Sequence, residues 1–467
     1  MASAARICYN QGKEGWLEME QRKILGYSTI NTACGALKGN ERETCREFLG
    51  VPYARAERFA YASAVEHWDG VLDATAFGPA CPQNRAWHEH MENPTFRFYK
   101  REFREGSVFT YSEDCLNLNI YTPKQAKNCP VVLFFHGGGF ESGINCESPF
   151  DGGELAKRGI ITVFANYRLG PLGYLTHEYV QKQFGRDGNF GLDDQLTAIR
   201  WVKRHIGDFG GDGENITLLG QSAGAISIQY LCLNHANEGL FRRAAMMSGA
   251  GLFPRFALPR RAADTHAYWE EFIRDAGCKS FDELKKAPLD AIFDAVETIR
   301  ARRKDSTYNT MPVIDGYLIP ERIDKLMGNP LRLDYLIGFT NTDMVAPVMA
   351  WIGMDFAKKN NGFVYFFDLD SPGDASGAFH SCDLRYMFGT LHNGWRPYGG
   401  RDDEVSGQLM DYLANFARSG DPNGSGLPRW QRAGRKALRF TKNSTAMSYV
   451  NYLRLALNFL KKGDPKA

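Results

Sequence analysis

The sequence predicts an α/β protein, with a mostly parallel central sheet and helices on both faces of that sheet. Short runs that are apolar on both faces recur along the chain, as buried parallel strands require. Helical patterns alternate with these runs, and turn residues separate the two. No internal repeat and no Pro- or Ser-rich linker divides the 467 residues. We therefore expect residues 1–467 to form a single domain.

The individual elements follow from their local patterns. Strands are predicted at residues 131–135, 160–165, 216–219, 335–339 and 363–367. The clearest helical pattern covers residues 192–206, where apolar residues recur at helical spacing from Leu192 to Ile206. Acidic residues begin this segment and basic residues end it, which suits the helix dipole. Two more amphipathic helices are predicted at residues 405–417 and 449–461.

Residues 85–111 depart from this alternation. Aromatic residues are scattered among many charges there without a clear period; they are Trp87, Phe96, Phe98, Tyr99, Phe103, Phe109 and Tyr111. Two interpretations stay open: a surface excursion packed by its own aromatic side chains, and a lid or subunit contact near a functional site. His88 and His90 lie in this segment, but no further metal ligands cluster with them, so we interpret both as solvated surface.

Composition excludes several classes of function. The chain has 56 Lys and Arg against 54 Asp and Glu, and a net charge of +2 argues against nucleic acid or anionic membrane as the main partner. No apolar run approaches the ~18–20 residues of a membrane helix. The first residues show no apolar core of a signal peptide, and the 10 cysteines include no C-x-x-C pair. We expect a cytoplasmic protein without integral membrane contact.

The segment around Ser222 carries the strongest chemical pattern. An apolar run ends at Gly220-Gln221-Ser222-Ala223-Gly224, and a helical stretch follows. A nucleophilic serine must be exposed at a sharp turn between strand and helix, and flanking glycines remove Cβ atoms that would collide there. The pentapeptide alone is weak evidence, but its position between a strand and a helix favours a nucleophile.

A glycine triplet supplies an independent partner for this serine. Gly137, Gly138 and Gly139 follow His136 at the end of another apolar run, 86 residues before Ser222. Consecutive backbone N–H groups in such a loop can stabilise a developing oxyanion, as in esterases and lipases. A phosphate-binding loop is the competing interpretation, but the lysine and serine or threonine of that motif are absent.

With these motifs, the chain resembles the type-B carboxylesterases and cholinesterases of the α/β-hydrolase fold, including bacterial-type carboxylesterases. The resemblance runs from about residue 30 to 435, with matching blocks in order. These blocks include residues 50–54 (GVPYA), 112–123 (SEDCLNLNIYTP), 136–140 (HGGGF), 166–173 (NYRLGPLG), 209–224 (FGGDGENITLLGQSAG), 312–320 (PVIDGYLIP) and 414–430 (ANFARSGDPNGSGLPRW). The resemblance implies a serine esterase that uses an acyl-enzyme intermediate, water as acyl acceptor and no cofactor or metal.

The resemblance also implies the remaining catalytic residues. His380, on a loop after the strand at 363–367, matches the family's catalytic histidine; His392 falls beyond the motif. Asp343, four residues after the strand at 335–339, takes the position where the family usually has Glu. Asp368, Asp370 and Asp374 are rival candidates for the acid. Ala223 matches the third oxyanion donor, beside Gly138 and Gly139.

Two departures from the family pattern affect these expectations. Only 37 positions separate Asp343 from His380, which predicts a reduced cap region and a more open pocket. Cys81 and Cys115 fall where secreted relatives form a disulfide, but without a recognised signal peptide we expect reduced thiols. The oligomeric state stays open, a homo-oligomer included.

Two alternatives to ester hydrolysis also stay open. The same triad could cleave an amide, a carbamate or a lactone, because the shape of the pocket decides between them. A non-catalytic binding protein on the same scaffold is the other alternative. Such relatives typically lose the serine or its partners, whereas Ser222 and His380 are present here.

Overall fold

The computed structural model describes residues 23–83, 93–251, 258–303, 310–342, 346–453 and 455–457. Its strands, in chain order, are β1 (Ile24–Thr32), β2 (Gly35–Arg42), β3 (Cys45–Pro52), β4 (Ala54–Arg55), β5 (Ser63–Ala64), β6 (Val71–Asp73), β7 (Asn117–Pro123), β8 (Cys129–Phe135), β9 (Ile161–Ala165), β10 (Gly211–Gln221), β11 (Arg243–Met247), β12 (Asp334–Thr340), β13 (Phe363–Asp368), β14 (Lys436–Thr441) and β15 (Thr445–Tyr449). All but β4 and β5 join one large sheet.

The large sheet is parallel in its centre and antiparallel at both ends. Its spatial order is β1-β2-β3-β7-β9-β8-β10-β11-β12-β13-β14-β15, with β6 beside β2. Strands β9, β8, β10, β11, β12, β13 and β14 pair in parallel, whereas β1, β2, β3 and β7, and at the other end β15, pair antiparallel. The predicted mostly parallel sheet is therefore confirmed.

The helices lie between these strands in the chain. They are α1 (Pro94–Phe103), α2 (Gly153–Lys157), α3 (Gly170–Tyr174), α4 (Glu178–Phe184), α5 (Phe190–His205), α6 (Ala223–Cys232), α7 (His266–Asp275), α8 (Phe281–Leu284), α9 (Leu289–Arg302), α10 (Ile323–Leu326), α11 (Ala346–Lys359), α12 (Asp383–Phe388) and α13 (Arg401–Ser419).

Strand β8 shows why the apolar runs are buried on both faces. Successive side chains of a strand point to opposite faces of the sheet. Leu133 and Phe135 accordingly pack in one apolar cluster together with residues of α5, while Val132 and Phe134 pack in a second cluster together with residues of α13. Each face of the central sheet thus has its own core, and helices cover both.

Most predicted elements are confirmed with small changes at their ends, and helix α1 was not predicted. Helix α1 lies within residues 85–111, where no period was apparent. Asn93 caps it, because the Asn93 side chain accepts hydrogen bonds from the N–H groups of Thr95 and Phe96. Residues 445–449 form β15, and residues 452, 453 and 455–457 are helical, so the last predicted helix begins three residues later than residue 449. Residues 84–92, which include His88 and His90, lie outside the described residues.

Cys81 and Cys115 form a disulfide with their Cα atoms 4.9 Å apart, so the prediction of reduced thiols is wrong for this structure. Both side chains are buried. Backbone pairing brings the two segments together, since the Ala80 N–H donates to the carbonyl of Thr110 and the Ala80 carbonyl accepts from Ser112. The disulfide closes the segment that contains α1.

Among the described helices, none combines the length and the apolar character that crossing a lipid bilayer would require.

Candidate active site

The candidate site lies at one edge of the central sheet, where parallel strands end. The glycine triplet follows β8, Ser222 follows β10 and the loop of His380 follows β13. Because parallel strands end at the same edge, segments that are far apart in sequence meet there, and this edge is where open α/β sheets bind ligands.

Ser222 occupies a sharp turn between β10 and α6. Its backbone has φ 53° and ψ −121°, which is strained for a residue with a side chain. The surroundings hold that conformation, since the Ser222 N–H donates to the Met247 carbonyl at 2.8 Å and the Ser222 carbonyl accepts from the Ile226 N–H at 2.9 Å.

The glycines around Ser222 are required by close backbone contacts. A Cβ atom at Gly220 would lie 2.6 Å from the Gly224 carbonyl, and one at Gly224 would lie 2.1 Å from the carbonyl oxygen of Phe135. A Cβ atom at Gly249 would lie 2.4 Å from the carbonyl oxygen of Ser222. The turn can therefore form only where these side chains are missing, as the sequence pattern predicts.

The glycine triplet lies directly beside the serine. A Cβ atom at Gly137 would lie 2.9 Å from the Ser222 Cβ. Gly138 and Gly139 both have positive φ, at 108° and 65°. A hydrogen bond within the loop stabilises this conformation: the Gly138 carbonyl accepts from the Ser142 N–H at 3.0 Å. Among the described residues, none accepts a hydrogen bond from the N–H groups of Gly138, Gly139 or Ala223. These N–H groups can therefore donate to a ligand.

His136, which precedes the triplet, is a buried neutral support for the loop. Burial lowers its pKa to about 4, although the hydrogen bond to the Gly137 carbonyl favours the protonated form. The ring donates from Nδ1 to that carbonyl at 2.9 Å and stacks on Tyr167, with ring centroids 4.5 Å apart. At neutral pH the imidazole therefore adds no charge beside Ser222.

The structure brings His380 to the residue next to Ser222. The Nε2 atom of His380 lies 3.2 Å from the side-chain amide nitrogen of Gln221. In this contact the amide donates and Nε2 accepts, so the ring proton belongs on Nδ1. This is the tautomer in which Nε2 carries the lone pair that takes a proton from a serine hydroxyl. The sequence analysis did not predict that Gln221 contacts His380. The position of Gln221 next to Ser222 in the pentapeptide was the available clue.

Asp343 lies outside the described residues, but its neighbour Thr342 approaches the histidine loop. The Thr342 hydroxyl donates to the Ala378 carbonyl at 2.6 Å, and Ala378 lies two residues before His380. Thr342 thus lies against the loop that carries His380. The role of Asp343 stays a prediction.

Two rival acids are engaged by arginines. Asp368 pairs with Arg439. Asp374 pairs with Arg396 at 2.9 Å, and although burial raises the pKa of Asp374, the hydrogen bonds from Arg396 and Ser376 lower it to about 2. Both carboxylates are thus paired with guanidinium groups, and the choice of Asp343 over them stays a prediction. The rival histidine, His392, is exposed and pairs with a surface carboxylate.

A cleft of about 800 Å³ opens at the opposite edge of the sheet, where β11 and β12 begin. Its lining includes Arg242, Arg243, Arg332, Asp334 and Lys359. The cleft lies at the wrong ends of the strands to contain Ser222. Within the described ranges, no group of three or more His, Cys, Asp or Glu side chains could hold a metal ion.

Gly138 and Gly139, the two glycines predicted as oxyanion donors, allow a matched prediction. A Cβ atom at Gly138 would lie 2.0 Å from the Ser142 carbonyl oxygen, whereas one at Gly139 would meet nothing within 4 Å. Both residues have positive φ, so backbone strain is common to the pair. We expect Gly138→Ala to displace its N–H and lower kcat by about 10²–10³-fold, as for a lost oxyanion donor. Gly139→Ala has the same backbone strain without the clash and should lose less of kcat; a larger loss in Gly139→Ala than in Gly138→Ala would contradict the steric argument.

Comparison with known proteins gives a consistent result. The family model described as "Carboxylesterase family" matches residues 27–360 and 344–459. The para-nitrobenzyl esterase of Bacillus subtilis (strain 168) is 33% identical over 68% of this chain, and the match spans 63% of that protein. Carboxylesterase 4A of Bos taurus is 28% identical over 86% of this chain and 88% of its own length. A solved structure described as a thermophilic PNB esterase superposes with a TM-score of 0.79, at 25% identity, over 92% of this chain and all of that one.

Proposed function

This chain belongs to the carboxylesterase family, and from that premise we propose that it hydrolyses carboxylic esters with Ser222 as nucleophile, His380 as base and Asp343 as acid. The observation that carries the proposal is the meeting of three segments at one sheet edge. The strained turn of Ser222 lies beside Gly137, and His380 Nε2 contacts the residue before the serine. A nucleophile, a base and N–H donors within reach of one atom are what acyl transfer requires.

The reaction follows from these roles. His380 Nε2 takes the proton of the Ser222 hydroxyl, and the serine oxygen bonds to the carbonyl carbon of the ester. The carbonyl oxygen becomes negative and is stabilised by the N–H groups of Gly138, Gly139 and Ala223. The bond to the alcohol oxygen then breaks, and the imidazolium gives its proton to that oxygen. Water repeats the sequence on the acyl-enzyme and releases the acid.

The α6 helix and Asp343 complete the machinery. Ala223 is the first residue of α6, a helix of 10 residues, so the positive end of the helix dipole faces the developing oxyanion. Asp343 would accept from Nδ1 of His380, hold the ring in its tautomer and stabilise the imidazolium. Aspartate is one methylene shorter than the glutamate usual in the family, so the loop of Asp343 must approach His380 closely.

A fluorophosphonate probe tests the nucleophile directly. We expect one equivalent of probe to attach to the peptide that contains Ser222 and to abolish hydrolysis of p-nitrophenyl esters in the same proportion. The attached mass should be located by peptide sequencing in the mass spectrometer, with Ser227 as the internal comparison on the same helix. Attachment to another serine, or full activity after labelling, would overturn the assignment.

The chain length of the acyl group is the next measurement. A series of p-nitrophenyl esters from acetate to palmitate should show an optimum that reflects the size of the acyl pocket. Amide, carbamate and lactone substrates of matched size should be tested beside it, because the same triad could cleave each of them. A protein that is inert to all of these and to the probe would support the non-catalytic alternative.

A further inference from the structure

Helix α1 packs against the loop that carries His380. The ring of Phe98 meets the ring of Phe379 edge to face, with centroids 4.9 Å apart. The Tyr99 hydroxyl lies 3.5 Å from the carbonyl oxygen of His380. Phe379 directly precedes His380 and is buried. Helix α1 is therefore part of the support of the histidine loop.

One buried guanidinium joins α1 to the same loop. Arg396 donates to both carboxylate oxygens of Glu102, at 2.8 and 3.0 Å, and both side chains are 1% exposed. Arg396 also donates to Asp374 at 2.9 Å, to the Ser376 hydroxyl at 3.0 Å and to the Pro372 carbonyl at 2.7 Å. The last three acceptors all lie on the loop between β13 and His380. A bidentate contact between a guanidinium and a carboxylate fixes the relative orientation of the two groups in addition to pairing their charges.

The other end of α1 is attached to the oxyanion side. Arg104, at the C-terminal end of α1, donates to the buried Glu147 at 2.6 Å. The carbonyl of Phe103 accepts from the Ser148 N–H at 3.0 Å. The amide of Gln83, which contacts Arg104, accepts from the N–H of Gly143 at 3.1 Å, just after the glycine triplet. Helix α1 thus connects the two loops that must act together.

We infer that Glu102 and Arg396 are positioning residues of the reaction, which hold the loop of His380 at the correct distance from Ser222. The inference rests on the proposed function. The buried pair cannot be loosened without cost, because loss of the Glu102 charge leaves the buried Arg396 guanidinium with only the more exposed Asp374 carboxylate as its ion-pair partner. The freed guanidinium would pull away from Glu102, and its three contacts on the histidine loop would shift with it. Neither residue touches the reacting atoms.

Glu102→Gln is the first test. A displacement of about 1 Å in a catalytic group can cost about 10²-fold in rate, so we expect kcat for p-nitrophenyl butyrate to fall by about 10–100-fold while KM changes less than about twofold. The readout is a fall in kcat without a matching change in KM. A loss of folded protein would also lower the apparent kcat, because it lowers the concentration of active enzyme. Active-site titration with the fluorophosphonate probe measures that concentration and corrects for it. An unchanged kcat would overturn the inference.

Glu47→Gln is the matched control. Arg42 and Glu47 form an equally buried pair, 3.1 Å apart, on β2 and β3. Glu47 lies opposite Tyr121 in the sheet, toward the ends of the strands away from Ser222. This variant should lose a similar amount of stability in a denaturant titration, yet keep its kcat. If kcat falls equally in both variants, the effect is global and the inference fails.

Two milder variants cover the case in which Glu102→Gln does not fold. Ser376→Ala removes one hydrogen bond of Arg396 and keeps the buried ion pair, and Arg396→Lys keeps the charge but not the fork. We expect kcat to fall by about 3–10-fold in Ser376→Ala and by about 10-fold in Arg396→Lys. These losses are smaller than for Glu102→Gln because each variant keeps some of the contacts that hold the histidine loop. Wild-type kcat in both folded variants would overturn the inference. An inactive or unlabelled wild-type protein would instead contradict the proposed function.

Discussion

Replacing Ser222 with alanine is expected to lower kcat for p-nitrophenyl esters by about 10⁶-fold, the loss seen when a triad nucleophile is removed. The variant loses the atom that forms the acyl-enzyme, while the N–H donors and His380 stay. A small residual rate over water should persist for that reason. Alanine at this strained turn keeps the Cβ atom and so should preserve the fold, which circular dichroism and a denaturant titration would verify.

Ser227→Ala is the control for this experiment. Ser227 lies on the same helix α6, is buried, and donates its hydroxyl to the Ala223 carbonyl at 3.0 Å. The substitution removes a serine hydroxyl about one helical turn from Ser222 and leaves the Ser222 hydroxyl in place. Because only one ordinary hydrogen bond is lost, kcat should stay within about twofold of wild type. If Ser222→Ala keeps full activity, the proposed nucleophile is wrong and the mechanism fails with it.

The parts of the site that the sequence predicted are those that local chemistry determines. The turn at Ser222 requires glycines within two residues of it, and the runs that form β8 and β10 are apolar over consecutive residues. Each of these patterns is contained in a short stretch of chain. The strand and the helix on either side of Ser222 could therefore be predicted from the residues themselves.

The parts that the sequence did not predict depend on contacts between distant residues. Gln221 and His380 are 159 positions apart, and Glu102 and Arg396 are 294 apart. In helix α1 the residues Phe96, Tyr99 and Phe103 do recur at helical spacing, but the other aromatic and charged residues of the segment hid that period, and the packing of α1 on Phe379 joins distant parts of the chain. The disulfide of Cys81 and Cys115 was misjudged for a different reason: the family resemblance identified the pair, but a reducing compartment was assumed. Local periodicity contains no information about such pairings.

Asp343→Asn is expected to lower kcat by about 10⁴-fold, the loss that follows when the acid of a triad becomes an amide. Asparagine has nearly the same shape as aspartate, but its amide can donate to Nδ1 and stabilise the tautomer with the proton on Nε2. Nε2 of His380 could then no longer take the proton of Ser222. The loss should appear in kcat, with KM little changed, because substrate binding does not use the acid.

The rival acids provide the controls that decide this assignment. Asp370→Asn changes an exposed residue of the same region and should leave kcat within about twofold, as surface substitutions do. Asp368→Asn weakens a pair with Arg439 and should lower stability more than kcat. Asp374→Asn disturbs the contacts of Arg396 and should cost about 10-fold, far less than a lost triad acid, because it displaces the histidine without reversing its tautomer. If one of these three variants loses about 10⁴-fold while Asp343→Asn stays active, the acid of the triad lies between Asp368 at the end of β13 and Asp374, and not after β12.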